Sequence, residues 1–234
     1  MVPVLNEIEG VKVVMPQVKK EWIDEVLVVD GNSTDGTREY CQEHGYRVIV
    51  QKRAGGMGAY WDGFLVAQGD AFLFFSPDGN CVLEKIQELV LKMEEGYDMV
   101  IASRYKKPAK SYDDSWLSAF ANTFFSRLIN VLFGGRYTDA LGMFRIFRKD
   151  LLDKLDLTET TGLAFNRYHT GLYELYLSMR CARYGLKVTE IPGDEPPNIG
   201  RKGSRAHPGL TKYYNGALFF YHVLKEYFSK KRNI

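Results

Sequence analysis

The feature that most constrains the fold is a repeated exchange of short apolar runs and amphipathic stretches over the first hundred residues. Val26-Leu27-Val28-Val29 ends at Asp30, and Thr37 to His44 after it is predicted helical, stopped by Gly45. The exchange continues through a run at Arg47 to Val50, a predicted helix at Gly58 to Ala67 and a strand at Ala71 to Phe75. A helix at Leu83 to Glu95 then sets Ile86, Leu89, Val90 and Met93 on one face, ahead of a strand at Met99 to Ala102. Strands that are apolar throughout are buried on both faces, and intervening helices make them parallel. The prediction is an α/β fold, a doubly wound and mostly parallel sheet with helices on both faces.

Beyond Arg104 the exchange breaks. A charged linker, Lys106 to Asp114, leads to a predicted helix from Trp116 to Phe133, a short strand near Met143 to Phe147, a helix at Leu172 to Tyr184 and a strand at Lys187 to Ile191. Gly193 to Gly209 holds seven Gly or Pro together with Arg201, Lys202 and Arg205, the composition of a mobile loop. The 234 residues, 45% hydrophobic, are enough for a core without disulfides. A net charge of +2 makes no case for nucleic acid. Cys41, Cys81 and Cys181 are scattered and odd in number, which points to a reducing, cytoplasmic setting rather than to a disulfide framework or a zinc site. Tyr213 to Phe228 is interrupted by Asn215, His222, Lys225 and Glu226, so it is not expected to span a membrane, and lying on a membrane surface stays open. Pro3 to Glu7 reads as the tail of a strand and its turn. The expectation is either a shortened first strand or a start at an internal methionine.

Ligands of open parallel sheets bind outside the carboxyl ends of the strands. Asp30 and Asp78 stand at two such ends. Asp30 opens Asp30-Gly31-Asn32-Ser33-Thr34-Asp35-Gly36-Thr37, where the glycines permit tight turns and Thr34 or Asp35 is a candidate helix cap. This octapeptide reads equally as a capped loop without function. Asp78-Gly79-Asn80 offers a carboxylate and an amide oxygen, donors that suit Mg2+ or Mn2+, though a Pro-Asp-Gly turn is common in itself. Gly56-x-Gly58 fails as a dinucleotide fingerprint because Trp61 occupies the place of the last glycine.

Taken in order, Pro3-x-x-Asn6-Glu7, the octapeptide, Gly56-x-Gly58-Ala59, Asp78, Ser103-Arg104-Tyr105, Thr138-Asp139 and Glu190-Ile191-Pro192 resemble the family 2 glycosyltransferases, nearest to the dolichyl-phosphate mannose and glucose synthase-like branch. The resemblance spans residues 1 to about 205. It implies a GT-A fold, a nucleotide-sugar donor, a divalent metal (Mg2+ or Mn2+) and inversion at the sugar carbon. By that resemblance Pro3, Asn6, Glu7 and Asp30 line the nucleotide, with Gly56 and Gly58 beside it. Asp78 and Asn80 hold the metal, and Arg104 and Asp139 stand near the transferred sugar and acceptor. Arg201, Lys202 and Arg205 resemble a basic loop that closes over phosphates. Two departures stand out: Gly31 replaces a frequent second aspartate, and Ser76 replaces the first carboxylate of the D-x-D metal motif.

The implied activity is a metal-dependent inverting hexosyltransferase acting on a nucleotide-sugar donor with a polyprenyl phosphate acceptor, at the cytoplasmic face of a membrane. A glycan or small-molecule hydroxyl as acceptor, and a nucleotide-binding module with a decayed site, stay open. A hydroxyl acceptor needs a general base, for which Asp139, Glu174 and Asp114 are candidates. Trp116, Leu117, Phe120, Phe124, Leu128, Val131 and Leu132 form an apolar stripe, read first as core and second as a membrane-facing surface. The expected organisation is a GT-A domain at 1–205, divided into a nucleotide-binding half at 1–105 and an acceptor half at 106–205, and an amphipathic helical tail at 206–234.

Overall fold

The computed structural model describes residues 1–157, 171–199 and 210–231. In chain order it contains β1 (Val2–Val4), α1 (Ile8–Val14), β2 (Leu27–Asp30), α2 (Thr37–Glu43), β3 (Arg47–Val50), α3 (Gly55–Phe64), β4 (Ala71–Phe74), α4 (Lys85–Glu94) and β5 (Met99–Ser103). These are followed by α5 (Trp116–Phe133), β6 (Arg145–Arg148), α6 (Leu151–Lys154), α7 (Leu172–Tyr184), β7 (Val188–Pro192) and α8 (Leu210–Phe228).

β1, β2 and β3 pair in parallel, and the second sheet runs β4-β6-β5-β7 with β5 and β7 parallel. β6 is antiparallel to both β4 and β5. The Met1 backbone nitrogen donates to the Leu73 carbonyl at 2.6 Å, which ties the edge of the first sheet to the second.

Successive residues along the central strands are nearly all buried and alternate between two cores. Leu27, Val29, Phe72, Phe74, Met99, Ile101 and Phe147 belong to one core, shared with α3, α5, α7 and α8. Val28, Leu73, Phe75, Val100, Ala102 and Ile146 belong to the other, shared with α1 and α4. Because period-2 side chains point to opposite faces, this division makes the sheet covered on both sides, as the sequence predicts. α8 places Phe219 and Val223 in the first core, so the tail helix packs with the rest of the chain.

Two expectations need correction. α3 begins at Gly55, three residues before the predicted start, because Gly56 to Gly58 wind into its first turn instead of forming a loop. The buried side of α5 carries Asn122, Phe125, Ser126 and Ile129, whereas Trp116, Phe120, Phe124 and Val131 of the named stripe are exposed. The core reading of that stripe fails at those four positions. Among the described residues no helix is long and apolar enough to cross a membrane.

Candidate active site

The loops after β1 and β2 are stitched together by side chain to backbone bonds. Asn6 adopts a φ of 55°, its amide nitrogen donates to Ser33 Oγ at 2.9 Å and its Oδ1 accepts from Thr34 N at 2.8 Å. Glu7 N donates to Thr37 Oγ1 at 2.9 Å, and Ile8 N to Asp35 Oδ2 at 3.1 Å. Asp30 is fully buried and accepts from Asn32 N at 3.1 Å and Ser33 N at 3.2 Å. Gly36, at φ 91°, occupies the N-cap of α2 in place of Thr34 or Asp35. Asp35 instead takes the Thr37 N–H at 3.0 Å, and these hydrogen bonds outweigh burial to hold its carboxyl below the usual range.

A cleft of about 650 Å3 opens outside the carboxyl ends of β1, β4 and β5. Pro3, Glu7, Gly56, Asp78, Asn80 and Arg104 line it, whereas Asn6, Asp30, Gly58 and Asp139 do not. The two glycines do different jobs. A Cβ on Gly56 meets nothing within 4 Å, while one on Gly58 would lie 2.5 Å from the Arg53 carbonyl. The same loop is fixed by Asp62, which accepts from Lys52 N at 2.5 Å and Arg53 N at 3.0 Å and pairs with the Arg53 guanidinium. Nothing in the sequence reading picked out Asp62.

Asp78 follows β4 in a turn pressed against α1. A Cβ on Gly10 would lie 2.2 Å from the Pro77 carbonyl, so only glycine lets that helix approach so closely. Asp78 Oδ1 accepts from Asn80 N at 3.2 Å, and Asn80 Oδ1 is buried with no hydrogen-bond donor among the described residues. A carboxylate beside an orphaned carbonyl oxygen fits a hard divalent cation. Among the described residues no group of three His, Cys, Asp or Glu is gathered as a metal site, so substrate oxygens and water would complete the shell. Cys81 also lines the cleft, but burial, aided by the nearby Asp78 charge, pushes its thiol up to about 12 and removes it as a nucleophile at neutral pH.

Arg104 closes β5 and carries the densest charge network. Its Nε donates to Asp139 Oδ2 at 2.7 Å and its Nη2 to Asp139 Oδ1 at 2.9 Å, a two-point grip on a fully buried carboxylate. Asp139 therefore meets the cleft through Arg104. The remaining nitrogen, Nη1, makes longer contacts to Asp114 Oδ2 at 3.4 Å and Glu195 Oε1 at 3.3 Å. Burial opposes the charge on Arg104, but the three carboxylates overcome it and hold the guanidinium above its ordinary value. Burial raises the Glu195 carboxyl, with Arg104 offsetting part of the effect.

The position of Asp139 is set by Glu190. Oε1 of Glu190 accepts from Thr138 N and Asp139 N, both at 2.9 Å, and Oε2 accepts from Thr138 Oγ1 at 2.5 Å. Two motifs 52 residues apart thus form one bracket behind Arg104. Arg145, fully buried, braces the next stretch by donating to Gly142 O at 2.7 Å, Ala140 O at 3.0 Å and Ser178 Oγ at 2.9 Å. Of the base candidates, Asp139 is fully engaged and Asp114 holds Tyr105 and Arg104. Glu174 accepts from Tyr60 at 3.1 Å through Oε1, and its buried Oε2 has no partner.

A second, apolar groove of about 580 Å3 lies between α5 and α8, walled by Leu117, Phe120, Phe124, Phe125, Phe219 and Phe220. It meets the first cleft at Arg104, Asp114, Ser118 and Leu141, which line both. Arg201, Lys202 and Arg205 lie outside the described residues.

AglJ, a glycosyltransferase of Haloferax volcanii, is 29% identical over 195 residues, 82% of this chain, and the chain spans 60% of AglJ's length. Polyprenol monophosphomannose synthase of Mycolicibacterium smegmatis is 28% identical over 207 residues, covering 82% of this chain and 74% of the synthase. Glucosyl-3-phosphoglycerate synthase from Mycobacterium tuberculosis, solved with Mn2+, uridine diphosphate and phosphoglyceric acid, superposes with a TM-score of 0.67 at 19% identity over 100% of this chain and 79% of that one, which establishes a shared fold. The profile of glycosyl transferase family 2 matches residues 1–156. With two thirds of its length inside that profile and a fold shared with a GT-A enzyme, the chain belongs to glycosyl transferase family 2.

Proposed function

We propose that the chain transfers a sugar from a nucleotide-sugar donor to a polyprenyl phosphate, with inversion at the sugar carbon and with Mg2+ or Mn2+ held at Asp78 and Asn80. The observation that carries this reading is the apolar groove between α5 and α8, which opens into the polar cleft at Arg104 and Asp114. A phosphate headgroup with a long apolar tail is the acceptor whose two parts match those two environments. The name of the Mycolicibacterium smegmatis relative, a polyprenol monophosphomannose synthase, supports the same class.

Pro3 and Glu7, with Asn6 and Asp30 shaping the loops behind them, form the nucleotide wall, and Gly56 leaves room beside it. A cation at Asp78 and Asn80 would neutralise charge developing on the departing diphosphate. Arg201, Lys202 and Arg205 are assigned to clamp that diphosphate. Asp139 holds Arg104 by two strong bonds and leaves Nη1 on two long ones, so Nη1 is the donor that can be handed to an acceptor phosphate. The phosphate oxygen attacks the anomeric carbon as the bond to the nucleoside diphosphate breaks. An ionised phosphate needs no base, which agrees with Asp139 and Asp114 both being engaged.

One observation favours a hydroxyl acceptor instead: Glu174 has a buried, unpartnered Oε2 in the cleft wall and is the remaining candidate base. Transfer from a panel of labelled nucleotide sugars, with Mn2+, to a polyprenyl phosphate decides between them. Label entering the organic phase, and lost with a chelator, is the expected result. Label passing only to soluble hydroxyl acceptors contradicts the proposal, and absence of both transfer and donor hydrolysis identifies a decayed site.

A further inference from the structure

Three segments of chain converge on the turn that holds Asp78. Ile199 N donates to the Asp78 carbonyl at 2.6 Å, Glu195 N to the Lys110 carbonyl at 2.9 Å and Tyr112 N to the Glu195 carbonyl at 2.9 Å. At their junction Asp113 Oδ2 accepts from two carboxamides, Asn198 Nδ2 at 2.8 Å and Asn80 Nδ2 at 3.4 Å. Neither amide can be turned round, since its oxygen would then face a carboxylate oxygen. The carbonyl oxygens are consequently fixed on the far side of each amide. Both of them, Asn80 Oδ1 and Asn198 Oδ1, are buried and receive no hydrogen bond among the described residues. Asp78, Asn80, Asp113 and Asn198 all line the cleft.

Buried carbonyl oxygens without donors are uncommon, and each asks for a partner that the described residues do not supply. Here two of them accompany two carboxylates, an acceptor-only set that suits a hard cation. The resemblance implies a first metal-site carboxylate at position 76, where this chain has Ser76. We propose that Asp113 makes good that loss. It brings a second negative charge to the site from the 106–115 linker and orients Asn80 and Asn198 so that both carbonyl oxygens turn toward a divalent cation at Asp78. Asp113 is thus a positioning residue, and Asn198 is a ligand that the family motif does not contain. The inference rests on the cation reading above.

The test is Mn2+ binding by the full chain, followed by electron paramagnetic resonance of free Mn2+ with uridine diphosphate or guanosine diphosphate present. Asp113→Asn frees the two amides to rotate and should weaken Mn2+ binding tenfold or more, with the metal-free unfolding temperature unchanged. Asn198→Ala, at a partly exposed loop position, should weaken it severalfold. Adding Ser76→Asp to Asp113→Asn should restore most of the affinity, a rescue that a merely structural role for Asp113 does not produce. If the wild type binds Mn2+ and both single variants bind it equally well, this inference is overturned while the cation reading stands. If the wild type binds no Mn2+ with either nucleotide, both are overturned.

Discussion

The two sides of the cleft are built in opposite ways. On the donor side the polar groups are spent on one another: Asp30 on its own loop, Asn6 and Asp35 on the facing loop, Asp62 on the loop before α3. On the side of the apolar groove large rings face outward, with Phe120 64% and Phe124 42% exposed. A wall whose hydrogen bonds are internally satisfied presents a fixed shape to a rigid ligand. A wall of exposed rings presents adaptable apolar area to a flexible chain or a bilayer. Under the proposed function, the contrast means that specificity for the donor is preorganised, while the acceptor is held by area and by a polar junction at Arg104.

The strongest way to break this contrast is at that junction. Arg104→Met should lower turnover by about 10^2 to 10^3, the usual cost of losing one charged donor to reacting oxygens, and Asp78→Asn should do the same. Steady-state rates near wild type in either variant would remove that residue from the chemistry. Asp139→Asn follows in size for stability. It leaves Arg104 without its buried partner, so unfolding free energy should fall by about 3 to 5 kcal/mol, measured by urea denaturation.

The donor wall offers a smaller, pH-resolved effect. Backbone and guanidinium hydrogen bonds hold the Asp62 carboxyl below its ordinary value of 3.8 in spite of burial. A depressed folded value contributes stability that is present above the unfolded value and lost as pH falls through the folded one. Asp62→Ala should therefore cost on the order of 2 kcal/mol at neutral pH, with the gap to wild type closing below about pH 4. A gap that stays constant from pH 7 to pH 3 would assign the loss to packing alone. On the other wall, Phe120→Asp should reduce co-sedimentation with anionic liposomes severalfold and leave donor hydrolysis unchanged. The smallest effect belongs to Ser76→Ala, expected within about twofold of wild-type turnover, because a serine hydroxyl contributes little beside a charged ligand.

Legibility in the sequence divides along the same line. Period and punctuation gave the strands and most helices, and α5 and α7 begin and end where the pattern places them, because Ser115, Gly134 and Gly185 cap them locally. The family pattern pointed to Asp78, Arg104 and Asp139, but not to the pairing of Asp139 with Arg104, which keeps Asp139 out of the cleft lining. That relation, and the Glu190 bracket behind it, joins residues 35 and 52 positions apart. Arg145 was invisible because a basic residue beside an apolar run reads as exposed, and only the carbonyls of the turn just before it, with Ser178 from α7, make its burial tolerable. The outward face of α5 was misjudged for a related reason. An apolar stripe looks the same whether a core or a ligand covers it.

The central claim is that one acceptor molecule spans the Arg104 junction and the α5–α8 groove. The most direct test compares kcat/KM for a long-chain polyprenyl phosphate with that for a short, water-soluble prenyl phosphate, in the wild type and in Phe120→Asp. At about 25 cal/mol per Å2 of apolar area removed from water, filling the groove should favour the long chain by about 10^2 or more in the wild type. That preference should collapse in the variant while the short acceptor reacts at its former rate. Equal kcat/KM for the two acceptors in the wild type, or a sugar hydroxyl that outcompetes both, would contradict the account.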